Sequence, residues 1–298
     1  MTLRSESRLE RILHEGTFAV TAEVVPPRSA DPGPILEQAR ALAGYADAVN
    51  VTDNPTGAVH MSSQAGVALV AGTGLEPVMQ LTCRDRNRLG LNSDLLGGWA
   101  LGARSVLCLT GDPTTAGAKA VFDLDVMQLI ELVASMRDGR EEIDPPPRYF
   151  IGVAELPLQP GNDPGRLERK ADAGADFVQT QIVYDVDAFG EWADGARERG
   201  LLERLFVMAG VAPPRGAKSV RYMMEHLPGV VVPDAVVREL ESAGPDASAH
   251  GVRLTVDVVE RLRAIPGIAG VHVMGLGREE SVRAVIEGAG LLPRPAIG

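Results

Sequence analysis

Short apolar runs rich in β-branched residues recur eight times along the 298-residue chain, and a helix-like stretch follows each one. The runs are FAVTAEVV (18–25), DAVNVT (47–52), PVMQLT (77–82), SVLCLT (105–110), YFIGVA (149–154), DFVQTQIV (176–183), LFVMAG (205–210) and GVHVMG (270–275). Near-continuous apolar character, in place of strict alternation, suits strands buried on both faces of a parallel sheet. The spacing between them predicts helices over 34–43, 61–71, 93–102, 124–137, 164–173, 187–199, 216–226 and 278–289. Strand and helix thus alternate in an α/β chain, and eight units in this length fit one (β/α)8 TIM barrel over 1–298 better than a doubly wound sheet with a second domain. Asp172-Ala173-Gly174 and Glu198-Arg199-Gly200 supply helix stops before the sixth and seventh strands. The segment 228–268 holds two further helix-like stretches and reads as a helical insertion before the last strand.

Charge and composition narrow the function. Asp plus Glu number 40 against 29 Lys plus Arg, a net charge of −11. Nonspecific binding to nucleic acid or an anionic membrane is therefore disfavoured, and an anionic ligand needs a local basic site. Cys83 and Cys108 lack CxxC spacing, and the five histidines, His14, His60, His226, His250 and His272, show no HxxxH pair, so no metal site is expected. No run of 18 apolar residues occurs and the N-terminus has no apolar leader core, which predicts a cytoplasmic protein.

In a barrel of this kind, ligand chemistry gathers where the strands end. Glu23 stands inside an apolar run, where a carboxyl either faces the mouth and serves as an acid or pairs with a cation such as Arg84 or Lys170. Asp112 follows Gly111 directly after a strand, as a ligand contact or as a capping residue. Alternation puts Gln179 and Gln181 on one face, toward a ligand amide or a satisfied polar core. LTCRDRNR (81–88) concentrates three arginines, either an anion site or Arg–Asp pairs on a solvated loop. Arg169 and Lys170 precede the sixth strand, facing a phosphate or water. The fragments GTGLEP (72–77) and GLGREE (275–280) each lack the third glycine of a dinucleotide loop.

Six segments carry a more specific signal: AEVVPP (22–27), VNVTDN (49–54), LTCRDRN (81–87), LTGDP (109–113), LERKADAGADFVQTQ (167–181) and AGVAPP (209–214). In content and order they resemble the methylenetetrahydrofolate reductase family over residues 18–290. The resemblance implies a flavin-containing (β/α)8 barrel that reduces the methylene group of methylenetetrahydrofolate to methyl by ping-pong hydride transfer, as part of one-carbon and methionine metabolism. FAD is the implied cofactor, with FMN as the alternative. Glu23 is implied as the general acid that opens the five-membered folate ring, and Asp112 as the residue that places the pterin and tunes the flavin. Gln181 matches the glutamine that hydrogen-bonds the pterin. Thr52, Gln80, Thr82, Thr110 and Gly111 fall at positions lining the flavin, and Arg169 and Lys170 at a basic pair near its phosphates.

This chain also departs from the pattern. Many relatives have His at Gln80, Arg at Thr110, and Tyr-Pro-Glu-x-His-Pro where Glu155-Leu156-Pro157-Leu158-Gln159-Pro160 stands here. The aromatic and glutamine positions after the seventh strand fall near Met223 and Ser219. The implied electron donor is therefore left among NADH, NADPH and a redox partner protein. VTDNPTGAVHMSSQA (51–65) followed by LTCRDRNRLGLNSDLLG (81–97) looks most like the branch found with a small zinc-containing partner subunit, and a homo-oligomer is also compatible. The chain lacks the long C-terminal regulatory region of animal relatives, so inhibition by adenosylmethionine of that kind is not expected. Two other classes remain: a barrel lyase or aldolase acting on a small phosphorylated acid, and a folate- or flavin-binding subunit that needs a partner for turnover.

Overall fold

Ser62, Asn87, Asp125 and Asp185 each accept a hydrogen bond from the backbone N–H three residues on, and a helix begins directly after each of them. These side chains satisfy N–H groups that a helix cannot pair internally. Asp125 does so within a reciprocal capping box with Gln128. Apolar strand residues and capped helices then build a closed ring. The computed structural model describes residues 3–114, 117–161 and 163–296. Eight parallel strands run in sequential order, and the last pairs with the first. They are β1 Ala19–Val24, β2 Ala48–Val51, β3 Glu76–Thr82, β4 Ser105–Leu109, β5 Phe150–Glu155, β6 Phe177–Ile182, β7 Phe206–Val211 and β8 Ile268–Val273.

Helices α2 Gly33–Leu42, α3 Ser63–Ala71, α4 Arg88–Ala100, α5 Val126–Arg137, α6 Gly165–Ala173, α7 Val186–Glu198 and α8 Ala217–His226 follow β1 to β7 in turn. Then α9 Asp234–Ser242 and α10 Ala247–Arg263 intervene before β8, and α11 Glu279–Gly288 follows it. The architecture is the (β/α)8 barrel that the alternation predicts. One helix starts well before its expected position: α4 begins at Arg88, because Asn87 caps it and Leu91 and Leu95 extend its buried stripe.

Outward strand residues such as Val20, Val24, Val49, Met79 and Ile151 pack under the helices, against Ile35, Val67, Leu91 and Val133. Each fully buried Val or Leu contributes roughly 1.5–3 kcal/mol relative to exposure. Inside the barrel, Ala19, Ala48, Val78, Leu107, Phe150, Phe177 and Met208 form a lower apolar layer. Helix α1 (Arg8–His14) plugs that end with Leu9, Ile12 and Leu13. Above this layer the filling turns polar. Asn50 Nδ2 donates to Gln179 Oε1 at 2.7 Å, and Gln179 Nε2 donates to Thr21 Oγ1 at 3.1 Å. Thr21 Oγ1 lies 3.0 Å from His272 Nδ1, and burial pushes His272 down to about 4, so the imidazole is neutral. This network closes the barrel beneath the mouth. Among the described residues no helix is long and apolar enough to cross a membrane.

Candidate active site

Two residues above Thr21 on the same face of β1, Glu23 reaches the C-terminal rim in register with Asn50. There a cavity of about 380 Å3 brings together Glu23, Thr52, Gln80, Thr82, Thr110, Gly111, Asp112, Lys170 and Gln181. Strand ends from opposite sides of the ring thus share one wall. The Glu23 carboxyl makes no hydrogen bond or ion pair with a described residue, and burial pushes it up to about 7. Both cations that could have paired with it are committed elsewhere. Lys170 Nζ bonds Glu155 at 2.7 Å, the two side chains being 4% and 1% exposed, and Arg84 is forked onto Asp85. Burial drives the Lys170 ammonium below the usual lysine range, with Glu155 opposing that shift. The Arg84 guanidinium holds Asp85 below the usual carboxylate range.

The expected basic pair does not meet in the mouth. Arg169 is exposed on another flank of α6 and lines a separate cavity of about 690 Å3 with Met127 and Gln128 of α5. Helix phase is the reason: Arg166 and Lys170, four residues apart, share the mouth-facing side, while Arg169 is turned about 100° from Lys170. Two of the three arginines of 81–88 also differ from a solvated loop, whereas the Arg88 side chain is exposed. Arg84 is 1% exposed, and Arg86 takes both oxygens of Asp53 at 2.7 and 3.0 Å. Asp53 in turn accepts the Thr82 N–H and hydroxyl at 2.9 and 2.8 Å, binding the β2 end to the β3 end.

Gln181 owes its place to a bulge. Between β6 and β7 the register shifts, so Thr180 and Gln181 stand against the single residue Ala209. Gly210 fits under this bulge because a Cβ there would fall 2.2 Å from the Thr180 carbonyl oxygen. The Gln181 amide donates to Pro228 O and accepts from Ile182 N, both at 3.0 Å. Pro228, from the segment after α8, also lines the mouth. Across the cavity, the loops after β2 and β4 touch closely. A Cβ on Gly57 would lie 2.0 Å from Pro113 O. Thr56 N–H donates to the Asp112 carboxylate at 2.9 Å.

Gly111 sits at φ +93, and a Cβ there would stand 2.9 Å from Arg84 Cβ and 3.1 Å from Thr82 Cβ. Gly111→Ala is expected to lower stability by roughly 1–3 kcal/mol through backbone strain and that clash. A denaturant titration checks this, and an unchanged midpoint would show that the loop relaxes freely. Sequence reasoning missed Arg166 and Pro228 as wall residues. The four-residue spacing to Lys170 could have found the first.

The family described as Methylenetetrahydrofolate reductase matches residues 8–290. A probable methylenetetrahydrofolate reductase (NADPH) of Caenorhabditis elegans is 26% identical over 95% of this chain, which spans 44% of that relative's length. A 5,10-methylenetetrahydrofolate reductase of Salmonella typhimurium is 26% identical over 74% of this chain and 72% of its own. Among solved structures, an uncharacterized Clostridium thermocellum protein that binds two copies of 5-methyl-5,6,7,8-tetrahydrofolic acid shares the fold. Its TM-score is 0.69 at 13% identity, covering 96% of this chain and 100% of the other. By the family match over nearly its whole length, the chain belongs to the methylenetetrahydrofolate reductase family.

Proposed function

We propose that this barrel reduces 5,10-methylenetetrahydrofolate to 5-methyltetrahydrofolate, in two half-reactions at one site with a flavin held in the mouth. The observation that carries the reading is Glu23, a carboxyl in the mouth with no cationic partner and a proton affinity raised to about 7. Ring opening of the folate needs such an acid: as the C–N bond breaks, its electron pair stays on nitrogen, which takes the Glu23 proton. Asp112 orients the pterin. Gln181 turns its amide toward the pterin, giving up the hydrogen bonds to Pro228 O and from Ile182 N. A lyase working through a Schiff base has poor support, because the mouth's lysine, Lys170, is tied to Glu155.

The wall residues fit a flavin. The Thr52 hydroxyl is buried without a partner among the described residues and lines the same cavity as Gly111. Arg166 makes no ion pair with a described residue and supplies a free cation. A flavin held there would supply hydride transfer between the electron donor and the folate methylene carbon. Thr82 and Gln80 on β3 and Thr110 just past β4 line the cavity and would border it. We assign FAD over FMN because Arg169 lines the neighbouring cavity between α5 and α6, where it would offer the distal half of a dinucleotide a second cation. NADH, NADPH or a redox partner protein serves as donor, and a small zinc-containing subunit is a candidate partner.

The pairing of Lys170 with Glu155 and the threonine at position 110 favour one second reading, direct hydride transfer from a nicotinamide donor to the folate. Titration with FAD and FMN, followed by anaerobic methyltetrahydrofolate, separates the two. FAD should bind more tightly than FMN, and Arg169→Ala should weaken FAD about tenfold while leaving FMN unchanged. Methyltetrahydrofolate should then bleach the visible band. A protein that takes up neither flavin yet oxidises NADH with methylenetetrahydrofolate establishes the second reading. One that binds no folate overturns both.

A further inference from the structure

Arg84 is almost completely shielded from water, and beyond its ion pair with Asp85 its guanidinium also serves two main-chain oxygens. Its Nε and one NH2 hydrogen take both carboxylate oxygens of Asp85 at 2.6 Å. NH1 donates to the main-chain oxygen of Asp112 at 2.9 Å, and NH2 also donates to that of Asn54 at 3.1 Å. One planar group just past β3 therefore grips the loop after β2 and the loop after β4. The grip closes into a ring, since Thr56 on the first loop donates its N–H to the Asp112 carboxylate at 2.9 Å. Asn54 and Thr56 both hold left-handed backbone, with φ of 45 and 56. Residues with a Cβ keep that conformation where their surroundings fix it.

Two residues before Asp112 stands Thr110, whose side chain is exposed. We propose that Arg84 is a positioning residue for folate binding: from just past β3 it grips the Asp112 main-chain oxygen and so holds Asp112 in the orientation that meets the pterin, a task for which Thr110 has no guanidinium. The proposal rests on the folate reading above. Its geometric requirement is the fork. A lysine at this position would keep a charge for Asp85, but a single ammonium cannot reach a carboxylate and two carbonyls lying in different directions.

The test measures the dissociation constant of methyltetrahydrofolate for the wild type, Arg84→Lys, Asp112→Asn and the double variant. Each single change should weaken binding about tenfold, and the double should lose little more than either, because both act on one contact. In the ligand-free protein, hydrogen exchange at the Thr56 amide should quicken in Arg84→Lys while the strand amides stay protected. Wild-type affinity in Arg84→Lys overturns the proposal, as does a double variant whose losses multiply to about a hundredfold. A melting curve separates lost fold from lost position, and Arg84→Gln, with the same expectation, is the second variant where the lysine protein melts below the assay temperature. A wild type that binds no methyltetrahydrofolate overturns the folate reading itself, before any variant is compared. The exchange rate at Thr56 then still shows whether Arg84 holds the ring together.

Discussion

Glu23→Gln should slow folate reduction by about 10²–10⁴-fold while leaving donor-to-flavin transfer within roughly twofold, because only the folate step consumes the acid's proton. The amide keeps the size of the side chain and removes the proton. In the wild type the folate step should fall away above about pH 7, where the carboxyl ionises, and in the variant that limb should be missing. Stability supplies a second, independent reading with a definite sign. Burial raises the folded value from 4.5 to about 7, so the folded protein holds this proton more tightly than the unfolded chain does. That contribution is full below pH 4.5 and is lost as pH rises through about 7. Relative to wild type, the variant should therefore melt higher at pH 8 than it does at pH 5. Equal losses in both half-reactions, or a melting difference that ignores pH, would remove Glu23 from the acid's role.

The strands were legible because burial on both faces demands unbroken apolar runs, and every observed strand lies within two residues of such a run. Helix α1 escaped notice because its stripe is short: Leu9, Ile12 and Leu13 face the barrel floor within seven residues. Site positions borne on strands were legible for a related reason. Once a strand's phase is known, the last inward residue is known too, as with Glu23 on β1 and Gln80 on β3.

Positions set by a neighbouring element were not. Whether Arg84 lies in water or under the β4 loop depends on Gly111 lacking a Cβ, a contact between residues far apart in sequence. Arg169 and Lys170 are adjacent in the chain, yet one serves an outer cavity and the other the mouth, because a helix turns about 100° per residue. Gln181 shows the mixed case. Alternation gave its face, whereas its partner Pro228 comes from the segment after α8, which no local pattern brings over the mouth.

Lys170→Met should cost about 3–5 kcal/mol, seen as a fall in melting temperature of roughly 5–15 °C, because it leaves the Glu155 carboxylate buried without its cation. Glu155 is 2% exposed and Lys170 3% exposed, so water cannot replace the missing partner. Replacing both residues, as Lys170→Met with Glu155→Leu, should recover most of the loss, since two apolar groups of similar volume need no compensation. The same pair of proteins separates two roles of the lysine that activity alone would merge. If Lys170 only neutralises Glu155, the double variant regains both stability and FAD affinity. If its charge also acts on the cofactor's phosphates, stability returns while FAD remains about tenfold weaker, the size expected for one charge-assisted contact. A single variant that melts within a degree of wild type would contradict both accounts, because it would mean that the Glu155 carboxylate is already satisfied without Nζ at 2.7 Å.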